Sequence, residues 1–343
     1  MESFTMRLAR SFSRRLAAVM AVFAAGAGPA LAETAADRPG ADLRGRLYDW
    51  ADGVLVVAHR ACHAPAPSRG LTTALPENSL AALDRCVGLG VDMVEIDVRR
   101  TADGALVIMH DPTVDRTTDG HGRVSEMSLR QVKALRLKSP GRRGGEGPAE
   151  APPTLGEYLA RTRGRILVNL DVKEPIAEQV AQVVLASGAA GQVLVKARAE
   201  AGAAPMADLP PYSGLAFMPM VGAVNGRGAD DPAGITARQA LAENRIPAIE
   251  LCDLPRSDFK AVRAAARLAR VRLWSNALAG KGLKGVWARA RAGGAAADGR
   301  RTWARLVDDG VSVIQTNRPS ALLDYLDARS LRGRAPPIIN AAL

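Results

Sequence analysis

Two carboxylates alternate with apolar residues in the segment VEIDVRR, at residues 94–100. Successive side chains of a strand point to opposite faces, so Glu95 and Asp97 share one face while the apolar side chains share the other. Such a pair can form a solvated strand face, which is common, or can face a pocket and act on what the pocket holds. Residues elsewhere in the chain must decide between these two interpretations.

Histidines near these carboxylates in the sequence could supply acid–base chemistry. The chain has four, and they are His59, His63, His110 and His121. Residues 102–104, Ala-Asp-Gly, predict a tight turn between two apolar runs, so residues 93–110 are expected to fold as a hairpin. Counting outward from the first two turn residues places His110 roughly opposite Glu95. A group that exchanges protons near neutral pH would then lie beside a carboxylate cluster.

Apolar, β-branched runs alternate with helical patterns along the chain. The predicted strands span residues 54–58, 93–98, 166–172, 193–197, 214–219, 247–252, 271–275 and 311–316. The helical patterns span residues 78–88, 128–135, 154–162, 176–187, 235–244, 257–269, 301–308 and 319–328. Repeated strand–helix alternation over this length favours a (β/α)8 barrel over a doubly wound sheet. We therefore predict an α/β fold, a (β/α)8 TIM barrel with a hairpin and loop inserted after the second strand.

Polar residues concentrate at the carboxyl ends of the predicted strands, which converge on one mouth of a barrel. They are His59, Arg60, Glu95, Asp97, Asp171, Lys173, Lys196, Glu250, Trp274 and Asn276. Each alone is more often a surface residue or a core polar group with satisfied hydrogen bonds. Together they predict a rim of acids, bases and cations at one end of the barrel. Trp274 is either a core residue or a wall on which substrate stacks.

The first 32 residues have the three-part pattern of a secretory signal peptide. Four arginines precede an apolar run from Leu16 to about Ala25, and Ala30-Leu31-Ala32 supplies a small-residue cleavage site. That run is shorter than the roughly 20 apolar residues of a spanning helix, and no later segment is long and apolar enough to cross a bilayer. We predict that residues 1–32 are removed during export to the periplasm, by the general or the twin-arginine route. Residues 33–343 would form a single barrel domain without stable membrane insertion.

The chain is basic, with a formal net charge of +11, which falls to +8 once the four arginines and one glutamate of residues 1–32 are removed. Its positive residues are scattered, only 4% of residues are aromatic, and no recognition motif for nucleic acid is present. Anionic small molecules or phospholipid head groups fit an exported basic protein better. Three cysteines are too few for a disulfide scaffold.

The segment from Ala58 to Val124 resembles the glycerophosphodiester phosphodiesterase family. It reads AHRACHAPAPSRGLTTALPENSLAALDRCVGLGVDMVEIDVRRTADGALVIMHDPTVDRTTDGHGRV and contains the H-R, P-E-N-S, E-x-D, T-x-D-G and H-D elements in family order. Weaker similarity follows in VNLDVKEP, LWSNA and GVSVIQTNRP. The resemblance implies a (β/α)8 barrel, one divalent cation and two histidines that do acid–base work.

Carried over position by position, the resemblance implies a role for each of seven residues. His59 and His110 would be the acid–base pair, Arg60 and Lys173 would contact phosphate, and Glu95, Asp97 and Asp171 would be metal ligands. Carboxylate ligands suit Mg²⁺ or Ca²⁺ better than zinc. A cation and flanking Arg and Lys side chains can neutralise charge on the phosphoryl oxygens as the transition state forms. In the family, the neighbouring glycerol hydroxyl attacks first, and water then opens the cyclic phosphate.

Departures from the family pattern leave other functions open. Ala61 replaces the usual glycine after His-Arg, and a longer loop with Cys62 and His63 follows. Asp171 replaces the usual glutamate, and the related sphingomyelinase D-like barrels use aspartate-x-lysine there. Asn317 begins Asn-Arg-Pro, where an acidic residue is common. The alternatives are a phospholipase D or sphingomyelinase D-like hydrolase of lysophospholipid or sphingolipid, and a non-catalytic phosphodiester-binding barrel.

Other features allow a structural and a functional interpretation. The spacing of His59 and His63 could suggest zinc, but the prolines that follow disfavour a helix there. Asp111, Arg116 and Asp119 are expected to shape the loop after His110, or to orient that histidine. The Gly-, Pro- and Arg-rich stretch 139–153 predicts a mobile loop. The basic, Ala-rich stretch 281–305 predicts one or two solvated helices.

Overall fold

The computed structural model describes residues 43–139, 150–222, 230–278 and 299–333. Three predicted features lie wholly or partly outside the described residues. They are the signal peptide (residues 1–32), residues 140–149 of the Gly- and Pro-rich stretch, and residues 281–298 of the basic stretch. Within the described ranges, no helix combines the length and apolar character needed to cross a membrane.

Eight parallel strands form a closed sheet, because the first strand pairs with both the second and the last. They are β1 (Leu55–His59), β2 (Met93–Arg100), β4 (Leu167–Val172), β5 (Val193–Arg198), β6 (Ala216–Gly222), β7 (Ala248–Cys252), β8 (Arg272–Ala277) and β9 (Val313–Thr316). A short strand, β3 (Leu106–Ile108), runs antiparallel to β2 and forms the inserted hairpin. The predicted barrel, its eight strands and its hairpin are confirmed.

Helices follow the barrel strands on the outside. They are α2 (Leu80–Leu89), α3 (Leu129–Lys133), α4 (Leu155–Thr162), α5 (Ala177–Ala186), α6 (Pro232–Gln239), α7 (Arg256–Leu268), α8 (Arg300–Asp308) and α9 (Pro319–Asp327). Each overlaps a predicted helical pattern. Several begin at residues whose side chains accept a backbone hydrogen bond, such as Ser79, Ser128 and Thr154.

One further helix, α1 (Leu43–Tyr48), was not predicted. Its Leu47 packs with the apolar residues that fill the barrel interior near the amino ends of the strands, including Leu55, Met93 and Leu167. The buried guanidinium of Arg272 donates to five backbone carbonyls of α1 and the loop that follows it, and to the carbonyl of Ser312 before β9. Helix α1 therefore covers this end of the barrel, and the mouth at the carboxyl ends of the strands is left for a site.

A disulfide joins Cys62, in the loop after β1, to Cys86 in α2. Both cysteines are buried, and Cys252 at the end of β7 is free. The disulfide closes the longer loop that the sequence places between Arg60 and Pro76, and so fixes the segment that follows His59.

Candidate active site

The alternation predicted for VEIDVRR is present in β2, and its polar face points into the barrel. Glu95 is 1% exposed and Asp97 is 0% exposed, so they are not a solvated strand face. The strand register places Glu95 beside His59 on one side, and Asp97 beside Asp171 on the other. Parallel strands in this register bring inward side chains of three strands to one level of the barrel.

Glu95, Asp97 and Asp171 form a carboxylate cluster. Each offers an oxygen, and these oxygens all lie within 4.8 Å of one another. Burial, together with the negative charges of the other two carboxylates, raises the pKa of Glu95 to about 8. Burial alone would also raise the pKa of Asp171, but the charges of Lys196 and Lys173 lower it to about 2. Hard oxygen ligands and crowded negative charge fit a divalent cation of the Mg²⁺ or Ca²⁺ type.

Positive side chains contact this cluster. Lys173 Nζ lies 2.9 Å from Asp97 Oδ1 and 2.7 Å from Asp171 Oδ2. Arg60 Nε lies 3.5 Å from Asp97 Oδ2, and the backbone N–H of Arg60 donates to Glu95 Oε2 at 3.1 Å. Both predicted phosphate contacts therefore lie beside the carboxylates, where their charges would also face a bound phosphodiester.

The loop that carries Arg60 has an unusual backbone. Arg60, Ala61 and Asn78 adopt left-handed φ angles of 54°, 62° and 61°. A left-handed conformation costs an L-residue with a Cβ roughly 1–2 kcal/mol, which accounts for the glycine usual in the family at the position of Ala61. Asn78 repays part of this cost, because its Nδ2 donates to Asp97 Oδ2 at 2.8 Å and its backbone N–H donates to the Arg60 carbonyl.

His59 ends β1 and points into the barrel beside Glu95. Its Nδ1 lies 2.7 Å from Asn317 Oδ1, and an amide oxygen can only accept, so Nδ1 carries the proton and Nε2 a lone pair. Burial, followed by the nearby charge of Arg60, lowers the pKa of His59 to about 4. The structure therefore holds His59 as a neutral imidazole whose second nitrogen can accept a proton.

His110 has a different partner. Its Nδ1 donates to Asp111 Oδ1 at 2.7 Å, and Arg99 Nε holds the His110 carbonyl at 2.9 Å. His110 lies close to Asp171, and it contributes, after the two lysines, to the lowered pKa of that carboxyl. The two predicted acid–base residues thus have different partners, because His59 contacts a neutral amide and His110 contacts a carboxylate.

The predicted alignment of His110 with Glu95 was wrong by one residue. Val98 pairs with Ile108, so the same register brings His110 opposite Ile96. The connection is a three-residue loop, because the backbone N–H of Thr101 donates to Ala105 O, and Gly104 takes a φ of 85°. Counting from a two-residue turn therefore gave the wrong pair.

Trp274 departs from its predicted role as a substrate contact. Its side chain is 0% exposed and packs among the apolar residues of the barrel interior, so it offers no surface for stacking. The indole N–H donates to Asn276 Oδ1 at 2.8 Å, and Asn276 Nδ2 donates to Glu250 Oε1 at 2.8 Å. Glu250 Oε2 in turn lies 3.2 Å from Lys196 Nζ. Trp274 therefore supports the floor of the site.

The zinc interpretation of His59 and His63 finds no support in the described residues. His63 Nδ1 lies 3.2 Å from the Ala61 carbonyl of its own loop. Across those residues, the carboxylate cluster is the one group of three or more acidic, cysteine or histidine side chains close enough to share a metal ion.

The sequence did not predict the contact of His59 with Asn317, and it left the contact of His110 with Asp111 open. Asn317 follows the last strand, but a lone Asn-Arg-Pro gives no sign that its amide meets His59. Asp111 and Arg116 were expected either to shape their loop or to orient His110, and both now have defined contacts in that loop. The adjacency of His110 and Asp111 in the sequence was the available signal for the second contact.

Comparison with known families gives two matches. Residues 69–203 match the model described as the glycerophosphoryl diester phosphodiesterase family. Residues 217–326 match a model described only as a domain of unknown function. The first matched region contains the cluster residues Glu95, Asp97 and Asp171 together with His110, whereas His59 precedes it.

Curated relatives are similar over part of the chain. A glycerophosphodiester phosphodiesterase of Caldanaerobacter subterraneus is 41% identical over 124 residues, which is 36% of this chain and 46% of the relative. Glycerophosphodiester phosphodiesterase 1 of Mus musculus is 39% identical over 123 residues, 36% of this chain and 34% of the relative. The chain thus spans less than half the length of these relatives.

Solved structures are similar over most of the chain. A glycerophosphoryl diester phosphodiesterase of Parabacteroides distasonis has a TM-score of 0.60 at 22% identity, covering 84% of this chain and 91% of that one. A phosphodiesterase of Oleispira antarctica, solved with the product sn-glycerol-3-phosphate, has a TM-score of 0.55 at 20% identity, covering 80% and 97%. At these identities the likeness concerns the fold, and it agrees with the closed barrel described above.

Proposed function

We propose that this chain is a glycerophosphoryl diester phosphodiesterase, because residues 69–203 match that family's model, and that it hydrolyses glycerophosphodiesters to glycerol 3-phosphate and an alcohol. The observation that carries this proposal is that one mouth of the barrel holds three inward carboxylates and two histidines. One histidine contacts a neutral amide and the other a carboxylate. A site that only bound phosphodiesters would need neither a proton acceptor nor a proton donor.

The carboxylate cluster supports one divalent cation, Mg²⁺ or Ca²⁺, held by Glu95, Asp97 and Asp171. When bound, the cation would neutralise charge on the phosphoryl oxygens. Arg60 and Lys173 already lie against the same carboxylates and would bind the remaining phosphoryl oxygens. The diester would thereby be bound at the mouth that also carries His59 and His110.

His59 is proposed as the general base. Its Nε2 has the lone pair, because Nδ1 donates to Asn317. With its pKa lowered to about 4, His59 is neutral and ready to take a proton from the attacking oxygen at neutral pH. Correctly placed bases of this kind contribute on the order of 10²–10⁴-fold in rate.

His110 is proposed as the general acid. Asp111 accepts from its Nδ1 and orients the ring, so that Nε2 of a protonated His110 could donate a proton to the departing alkoxide. Arg99 fixes the backbone of His110 through its carbonyl oxygen. The second stage, in which water completes hydrolysis, would reverse the two roles.

Asp171 and Lys173 favour one second candidate, a hydrolase of lysophospholipid or sphingolipid. This aspartate-x-lysine pair is the pattern of the related sphingomyelinase D-like barrels, and in this chain both residues meet Asp97 at the mouth. The water-soluble diester remains the preferred substrate, because residues 69–203 match the glycerophosphoryl diester phosphodiesterase model.

A substrate panel tests the proposal. Glycerophosphocholine, glycerophosphoethanolamine, glycerophosphoinositol, a lysophospholipid and sphingomyelin would each be assayed with chelator, with Mg²⁺ and with Ca²⁺. We expect cation-dependent release of glycerol phosphate from at least one water-soluble diester, and release about 10²-fold or more slower from the His110→Ala variant. Turnover of the lipids alone would select the second candidate, and turnover of none would leave a binding protein.

Export to the periplasm is proposed as well, with removal of residues 1–32 so that the mature chain begins at Glu33. The buried disulfide between Cys62 and Cys86 supports this location, because such bonds persist in oxidising compartments. Amino-terminal sequencing of protein from a periplasmic extract tests it. An intact Met1 on cytoplasmic protein would rule the proposal out.

A further inference from the structure

The guanidinium of Arg116 lies between two carboxylates and binds each with two nitrogens. Its Nε and Nη2 donate to Asp111 Oδ2 and Oδ1, at 2.6 and 3.1 Å. Its Nη1 and Nη2 donate to Glu77 Oε2 and Oε1, at 2.9 and 2.7 Å. A planar guanidinium is suited to such paired contacts, because its nitrogens are fixed in the geometry that a carboxylate accepts.

Both carboxylates also hold a residue of the proposed site, through the same oxygen that Nη2 of Arg116 contacts. Asp111 Oδ1 accepts from His110 Nδ1 at 2.7 Å. Glu77 Oε1 accepts from Arg60 Nη1 at 2.9 Å. Arg116 is therefore linked to the proposed acid, His110, through Asp111, and to the proposed phosphate contact, Arg60, through Glu77.

These contacts are not those of an ordinary surface ion pair. Arg116 is 49% exposed, but the side chains of Asp111 and Glu77 are only 22% and 14% exposed. Hydrogen bonds from Arg116 are the first cause that holds the pKa of Asp111 well below its usual range. Burial would raise the pKa of Glu77, but Arg116 and Arg60 lower it to about 2. Both carboxylates are thus kept charged and in one orientation.

We propose that Arg116 is a positioning residue for the hydrolysis, which fixes Asp111 against His110 and Glu77 against Arg60. The proposal rests on the proposed function, since it concerns the acid and the phosphate contact of that reaction. It assigns to one side chain the task of setting the distance between the loop after β1 and the loop after β3.

Two variants and one control test the role of Arg116. Arg116→Gln removes the charge and one pair of contacts, and Arg116→Lys keeps the charge but not the planar fork. Arg123→Gln is the matched control, because Arg123 is an exposed arginine of the same region whose Nε lies 3.8 Å from the exposed carboxylate of Glu126. We expect Arg123→Gln to keep parent activity, and both Arg116 variants to lose about 10-fold or more in kcat, since misplacement of a catalytic group is costly.

Leaving-group dependence separates positioning from general damage. A diester with an alkyl alcohol needs the acid, whereas glycerol 4-nitrophenyl phosphate releases a phenolate that leaves without full protonation. Arg116→Gln should therefore lose at least about 10-fold more activity on glycerophosphocholine than on the nitrophenyl diester. Equal loss on both substrates, or parent activity of Arg116→Lys, would overturn the proposal.

A double variant tests whether Arg116 acts through Asp111. Arg116→Gln combined with Asp111→Asn should have little lower kcat on glycerophosphocholine than Asp111→Asn alone, because residues that act as a unit are not additive. Multiplicative losses would contradict this coupling. If the parent enzyme cleaves no diester at all, the proposed function fails, whereas normal Arg116 variants of an active parent refute only the role of Arg116.

Discussion

Asn317 Oδ1 lies 2.7 Å from His59 Nδ1, although the two residues are 258 positions apart in the sequence. Closure of the barrel makes this contact possible, because β1 pairs directly with β9 and both residues stand at the carboxyl ends of those strands. The amide oxygen selects the tautomer of His59 with a lone pair on Nε2. An uncharged side chain thus leaves His59 with the lone pair that the proposed base needs.

Asn317→Asp tests this relationship. A carboxylate on Nδ1 would stabilise the protonated ring, so the pKa of His59 should rise from about 4 and the acidic limb of kcat/KM against pH should move up by about one unit or more. In the parent, His59 is neutral above its lowered pKa, so it should remain a competent base well below pH 6. A pH profile of both proteins on one diester decides it, and an unchanged acidic limb would contradict the assignment of His59 as base.

Cation binding should release a proton. The pKa of Glu95 is raised to about 8, so without a cation this carboxyl is mostly protonated at pH 7 and must lose its proton to become a ligand. Affinity for the cation should therefore increase as the pH rises toward 8. Calorimetry at pH 7 in buffers of different ionisation enthalpy should show about one proton released, and at pH 9 close to none. No release at pH 7 would mean that Glu95 is already charged or is not a ligand.

The buried pair of Lys196 and Glu250 should be costly to break. Their side chains are 5% and 1% exposed, and Nζ lies 3.2 Å from Oε2. Lys196→Met leaves the carboxylate of Glu250 without its cation and should lower the free energy of unfolding by about 3 kcal/mol or more. Adding Glu250→Gln should recover part of that loss. Urea denaturation of the three proteins measures it, and a Lys196→Met variant as stable as the parent would show that the pair contributes nothing.

The disulfide should stabilise the fold through the loop it closes. Cys62 and Cys86 are 24 residues apart, and a crosslink over such a loop is worth about 3 kcal/mol in the chain-entropy model. Replacing both by serine should lower the free energy of unfolding by about that amount, whereas Cys252→Ser, which removes a free cysteine, should have a far smaller effect. Equal loss in the two proteins would indicate that the disulfide adds no stability of its own.

The sequence predicted the barrel because period-two alternation and apolar runs are local properties. Each of the eight barrel strands was predicted within a few residues. The inward position of Glu95 and Asp97 was predicted only once polar residues at the ends of the other strands were considered with them. The carboxylate cluster could be predicted because parallel strands bring their carboxyl ends to one mouth. A site built from polar residues at the ends of strands can thus be predicted from the sequence alone.

Contacts that depend on closure or on loop geometry could not be predicted. Helix α1 is short, and only its packing under the barrel and its contacts with Arg272 give it a place. Asn317 meets His59 only because the first and last strands pair. The His110 register depended on whether the turn has two or three residues, and Trp274 could face either the floor or the mouth. These outcomes are set by tertiary packing, which local patterns do not encode.

The claim central to this account is that Asp97 holds a cation while His110 carries a proton. Asp97→Asn removes an anionic ligand, so cation affinity should fall by about 10-fold or more, with partial recovery of activity at high Mg²⁺ or Ca²⁺. His110→Ala removes a proton carrier but no ligand, so the cation should bind as in the parent while turnover falls by about 10²-fold or more, without rescue by added cation.

Calorimetric cation titrations of the parent, Asp97→Asn and His110→Ala, with diester turnover measured across cation concentrations, test this claim most directly. Circular dichroism would first establish that both variants keep the barrel. We expect Asp97→Asn to bind the cation more weakly and to regain part of its turnover at high cation concentration. We expect His110→Ala to bind the cation as the parent does and to regain no turnover when cation is added. An Asp97→Asn protein that binds the cation and cleaves the diester like the parent would contradict it.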